Sequence, residues 1–145
     1  MMARSETSFP RGSSDMVWDG GLHATAFVDN AAPLVTGADV GWTPEVLFAT
    51  ATGAALMSTI LELAVPAGID IAGYVSEQRI LDSGVISRGT VFLAPCISVR
   101  SRAAADALQP LIVRAMAMMP ESVVVGYELT ITPRVTIAPP RDLPW

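Results

Sequence analysis

A chain of 145 residues with 51% hydrophobic and 16% charged residues suits one domain, and its mean hydropathy of +0.46 supplies more apolar surface than a monomer readily hides. A homo-oligomer with a large apolar interface is therefore expected. The net charge of −5, a pI near 4.6 and the lack of a basic stripe argue against a nucleic-acid partner, and none is expected; the single cysteine, Cys96, excludes an intramolecular disulfide.

Residues 1–15 are small and polar, with Pro10 and Gly12, and read as a flexible N-terminal segment. No apolar h-region of a secretory signal lies in the first 20 residues, so a cytoplasmic protein is expected. From Met16 to Val28 the residues Val17, Leu22, Ala24, Ala26 and Val28 alternate against polar or smaller neighbours around Gly20-Gly21. This pattern predicts a strand, with the glycines available for a hairpin turn. Residues 29–33 and 36–39 are turn-rich and flank only Leu34 and Val35.

The central element is a helix predicted over residues 44–65, roughly 33 Å long. Thr43 is suited to the N-cap, Pro44 to the first helical position and Glu45 to the positive end of the macrodipole, while Pro66 and Gly68 mark the exit. Between Glu45 and Glu62 the helix carries no charge, and Val46, Leu47, Phe48, Leu56, Met57, Ile60 and Leu61 surround it, which predicts burial on every side. The uncharged run of 16 residues contains Thr50, Thr52, Gly53, Ser58 and Thr59, so a soluble core is favoured over a membrane span. Thr50, Ala54 and Ser58 form one column at four-residue spacing, with Ala51 and Ala55 in the next, and another helix can approach closely there.

Residues 69–81 and 90–100 read as two strands around the turn signal Asp82-Ser83-Gly84, and they are able to pair antiparallel. Pro95 interrupts the second, which places the neighbourhood of Cys96 where the ladder is locally unpaired. Ser101 is a good N-cap for a second helix over residues 101–119, with Leu108, Leu111, Ile112, Ala115 and Met119 on its apolar face. Pro110 predicts two segments or one bent helix, and Pro120 its end. Residues 122–137 are strand-like and residues 139–145 a proline-rich tail. The order gives an α+β domain with helices against an antiparallel sheet.

Two local patterns join this order. The sequence from Thr43 to Phe48, TPEVLF, leads through Ala49 to TGAALMST at Thr52 to Thr59, and AMAMMPES spans Ala115 to Ser122. The first resembles the Asn-Pro-Glu-x-Leu-hydrophobic helix start and Ala-Ala-Cys of the OsmC/Ohr family of dimeric thiol peroxidases; the second resembles that family's Ala-His-x-x-Cys-Pro-x-Ser. The resemblance spans about residues 16–138 and implies an OsmC-like fold in an intertwined homodimer, whose central helices cross through their small-residue faces. It also implies an active site at the dimer interface, with one cysteine attacking peroxide and a second resolving the sulfenic acid.

At those two positions this chain has Ala55 and Met119. Neither can act as a thiolate nucleophile, and a register slip of one residue changes only which apolar residue stands there. Glu45 matches the family glutamate that, with an arginine near the N-terminal strands, lowers the thiol pKa; no arginine lies between Arg11 and Arg79. The family histidine is Met116 here. The resemblance thus implies a family member that keeps the fold and has lost the chemistry.

Each remaining candidate has a plain structural reading beside its functional one. Cys96 lies in an apolar strand context, with Arg100 its nearest cation in sequence, and is expected to be buried and inert rather than a displaced peroxidatic or sensor thiol. Glu45 is either a general base or simply a dipole-stabilising acid. His23, the only histidine, cannot build a multi-histidine metal site, so no metal and no cofactor are expected. Met57, Met116, Met118 and Met119 either pack the core or, with Glu45 and Ala55, line a pocket for a small apolar ligand at the vestigial site. Three functional readings follow: a non-peroxidatic protein that binds such a ligand or a protein partner; an enzyme, either an organic hydroperoxide reductase that uses Cys96 or one with unrelated acid/base chemistry on Glu45; and a structural or regulatory subunit.

Overall fold

The computed structural model describes residues 14–20, 23–37, 41–82, 89–119 and 127–138. The chain divides into two compact units, Met1–Pro44 and Glu45–Trp145, and the turn signal at Ser83-Gly84 and the segment from Pro120 to Gly126 lie outside the described residues.

The first unit is an antiparallel meander, β1 (Asp15–Gly20), β2 (His23–Phe27) and β3 (Leu34–Thr36), in the order β1-β2-β3. The alternating segment does fold back after Gly20: Met16 pairs with Ala26 and Trp18 with Ala24, and the register shifts before Gly20, whose φ of 111° favours a residue without Cβ. Leu34 and Val35, placed by local pattern only between turns, form β3 against Ala26 and Thr25. Three residues carry too little periodicity to announce a strand; the ladder and the bond from Thr36 Oγ1 to the Ala24 carbonyl at 3.2 Å hold it.

In the second unit α1 (Pro44–Ala64) matches the predicted span. It exits through a Schellman arrangement: the Ile69 N–H donates to the Ala64 carbonyl and the Gly68 N–H to that of Val65, both at 3.1 Å, with Gly68 at φ 75°. Within a single chain the expected burial on every side is not reached. One stripe is buried, formed by Ala49, Thr52, Gly53, Leu56, Ile60 and Ala64, whereas Ala51, Ala54 and Ser58 are exposed and Thr50 and Ala55 half-buried. The reason is geometric, because a single sheet covers only one side of a helix and covering the other takes a further element.

The sheet of this unit contains β4 (Ile71–Asp82), β5 (Gly89–Val99), β6 (Tyr127–Ile131) and β7 (Arg134–Ile137). β4 and β5 pair antiparallel as expected, from Ile71↔Val99 to Asp82↔Gly89. β6 and β7 instead run parallel to β5, correcting the all-antiparallel expectation. The cause is α2 (Arg102–Ala117), which carries the chain from β5 to β6 as a crossover and so returns it in the same direction.

Ser101 caps α2 as predicted, its Oγ accepting from the Ala104 N–H at 3.1 Å. The helix is single and passes through Pro110, so the two-segment alternative does not apply. Alternate residues of β5 (Val91, Leu93, Pro95, Ile97 and Val99) point inward, and all but Pro95 share one apolar cluster with Leu56 and Ile60 of α1 and Leu108, Ile112 and Ala115 of α2. The outward residues, including Ala94 and Cys96, lie on the opposite face of the sheet.

Candidate functional site

The two positions that the sequence resemblance sets against cysteines, Ala55 and Met119, sit on different helical settings. Ala55 is half-buried on α1, beside the buried Leu56 and the exposed Ala54. Met119 follows α2 and is partly buried against the core, as is Met116; Met118 between them is exposed. Met57 is partly buried on α1. Glu45 is exposed in the first turn of α1, ten residues and about 15 Å of helix axis from Ala55, so these two side chains cannot meet within one helix. His23 lies partly buried on β2. Among the described residues no group of three or more His, Cys, Asp or Glu is placed to hold a metal ion.

A different location gathers chemistry. On the outward face of the β4–β7 sheet lies a depression of about 480 Å³, lined by Val75, Glu77, Ala94, Pro95, Cys96, Thr132, Pro133 and Arg134. It contains none of Glu45, Ala55, Met57, Met116 or Met119. Its origin is a break in the ladder. β5 pairs with β6 as far as Leu93↔Ile131 and with β7 from Cys96↔Arg134, leaving Ala94-Pro95 opposite Thr132-Pro133, two stretches in which proline supplies no N–H. The Thr132 N–H still reaches the Leu93 carbonyl at 2.9 Å, which holds the break in place. Pro95 thus does interrupt pairing beside Cys96, on the β6–β7 side alone, while Ser76↔Pro95 continues the register with β4.

Cys96 is half-buried rather than buried, because it points away from the helices, and its sulfur accepts a hydrogen bond from Arg134 Nη2 at 3.7 Å. Arg100, the nearest cation in sequence, is engaged elsewhere, 3.6 Å from Asp70. Glu77 faces the same depression from β4, where it pairs with Ala94, and no ion pair joins it to Arg134 among the described residues. Reading by sequence missed Arg134, Glu77 and Thr132. The available signal was the pair of prolines, Pro95 and Pro133, each inside a segment otherwise patterned as a strand.

Behind the sheet, the Gln78 side chain lies against Gly53 of α1, where an added Cβ would come within 2.7 Å of it. Tyr74, also on the helix-facing side of β4, has a hydroxyl with no hydrogen-bond partner, and burial pushes its pKa up to about 12.

No family model matches the chain, and no curated protein matches it. Solved structures do. An OsmC-like protein from Mycoplasma pneumoniae superposes with a TM-score of 0.64 at 11% identity, over 88% of this chain and 98% of that one. An organic hydroperoxide resistance protein from Elizabethkingia anophelis gives 0.59 at 16% identity, over 88% and 98%. The organic hydroperoxide resistance protein OhrB of Bacillus subtilis gives 0.58 at 14% identity, over 84% and 98%. The element order, the crossover through α2 and these superpositions along nearly the whole of each chain lead to one conclusion about architecture: this protein is built on the OsmC-like fold.

Proposed function

We propose that this chain is a homodimeric OsmC-fold protein that has lost cysteine-based peroxide reduction and binds a small apolar molecule, or a protein partner, where its central helices meet. The observation that carries the proposal is the pairing of Ala55 and Met119 at the two sequence-matched cysteine positions with an α1 whose small-residue face, Ala51, Ala54 and Ser58, stands open. An apolar, uncharged helix face calls for a cover, and the shallow relief of Ala and Ser lets the same helix of a second copy approach closely. α1 is also the one described helix long and apolar enough to cross a membrane by composition; its hydroxyl-bearing and glycine residues and its buried stripe favour a protein cover.

The test combines hydroperoxide consumption by the reduced protein, supplied with a dithiol reductant, and a thermal-shift screen of hydrophobic compounds. The expected result is no turnover of organic hydroperoxide or hydrogen peroxide and stabilisation by at least one apolar ligand. Turnover, or a screen without any stabilising compound together with no copurifying partner, overturns the reading.

Arg134 beside the Cys96 sulfur favours one second reading, an organic hydroperoxide reductase that works through Cys96. Turnover abolished by Cys96→Ser distinguishes it from the first reading.

A further inference from the structure

The depression on the outward face of the β4–β7 sheet has a ligand-sized volume and opposite charges on opposite walls. Glu77 stands on β4 and Arg134 on β7, the strands that flank β5 on its two sides, so a molecule seated over Ala94 and Cys96 lies between a carboxylate and a guanidinium. The two charges are not paired with each other, and the floor and rim between them are apolar, from Val75, Ala94, Pro95 and Pro133. About 480 Å³ falls within the range of small-molecule sites. The volume and the opposed charges, more than the thiol, point to a ligand: one short enough to sit in the break, carrying both a carboxylate and an ammonium.

We propose that this groove binds a small disulfide with α-amino-carboxylate ends, its carboxylate on Arg134 and its ammonium on Glu77, and that Cys96 captures half of it as a mixed disulfide. The Cys96 sulfur is half-buried in the groove and lies 3.7 Å from the Arg134 guanidinium, so a ligand carboxylate held by Arg134 brings its own sulfur to the same end. In the exchange the Cys96 thiolate attacks one ligand sulfur. The new Cys96–ligand S–S bond forms as the ligand S–S bond breaks; Cys96 is oxidised, and the departing half is reduced, leaves as a thiolate and takes a proton from water. The ligand is itself the oxidant. The site is separate from Ala55 and Met119, so its fate does not depend on what the central helices bind.

The experiment measures adduct formation on the reduced full chain by intact mass spectrometry, with cystine and with bis(2-hydroxyethyl) disulfide. Both reagents carry no net charge, so the chain's −5 favours neither. Each rate is normalised to that of a small free thiol. The expected result is a normalised preference for cystine of roughly fivefold or more, with each of Glu77→Gln and Arg134→Gln lowering it by up to about fivefold, the contribution of one exposed ion pair. Cys96→Ser gives no adduct. S-methylcysteine, which carries the zwitterion without a reactive sulfur, slows the cystine reaction of the unsubstituted chain; this arm needs no variant to fold. A preference equal to that of the free thiol, one unchanged in both charge variants, no protection by S-methylcysteine, or no reaction at all overturns the proposal.

Discussion

Ala54→Arg separates the proposed dimer from the fold of its single chains. Ala54 is exposed on α1, in the column with Thr50 and Ser58, while its neighbours Gly53 and Leu56 are buried. Within one chain the new guanidinium has open water before it and arginine is nearly as good a helix former as alanine, so the cost stays within about 0.5 kcal/mol. In a dimer packed through this face, two-fold symmetry brings a guanidinium from each copy into an apolar seam without a carboxylate, since the helix has none between Glu45 and Glu62. An unpaired buried charge costs roughly 3–5 kcal/mol, which weakens association by a factor on the order of a hundred to a few thousand. Size-exclusion chromatography with light scattering over a dilution series, with far-UV circular dichroism alongside, reads both quantities. The unsubstituted chain is expected at twice its 15.2 kDa mass and Ala54→Arg at the single-chain mass with an unchanged spectrum. A monomeric unsubstituted chain, or a dimer whose dissociation constant the substitution leaves alone, refutes the reasoning.

Two further expectations concern the second unit. Gly89 opens β5 in a buried position where an added Cβ would come within 2.6 Å of the Leu81 carbonyl and 2.8 Å of the Tyr127 ring, so Gly89→Ala is expected to cost about 1–3 kcal/mol. A lowered urea midpoint at unchanged slope checks this, and an unaltered midpoint contradicts it. Tyr74 carries a pKa raised to about 12 by burial, against 10.0 for the free group. The unfolded chain therefore releases this proton first, binds fewer protons than the folded chain between about pH 10 and 12, and gains stability relative to it as pH rises through that window. The chain has no lysine, so no ammonium side chain titrates across that window. Tyr74→Phe is expected to flatten the fall in urea midpoint across that range and, because the hydroxyl has no partner, to cost little at neutral pH; a fall of the same steepness in the variant would count against burial as the cause.

Much of the architecture was legible locally because short-range chemistry sets it. Pro44 and Gly68 bound α1 through backbone constraints that need no tertiary partner, Ser101 caps α2 through its own hydroxyl, and alternation over residues 69–81 and 90–100 announces β4 and β5. β3 escaped because three residues hold no measurable period, and its pairing with β2 defines it.

By itself the sequence determined where the helices begin and end, which strands alternate, and that no thiol stands at positions 55 and 119. These follow from bonds and side chains within a few residues of one another. Only the tertiary structure decided that β6 and β7 run parallel to β5, that α1 buries one stripe and leaves its small-residue face open, and that Cys96 meets Arg134 across 38 positions of chain. Strand direction follows from how α2 packs on its way back to the sheet, burial from what covers a face, and the meeting of a thiol and a guanidinium from the register of two strands; none of these is encoded within the reach of a local pattern.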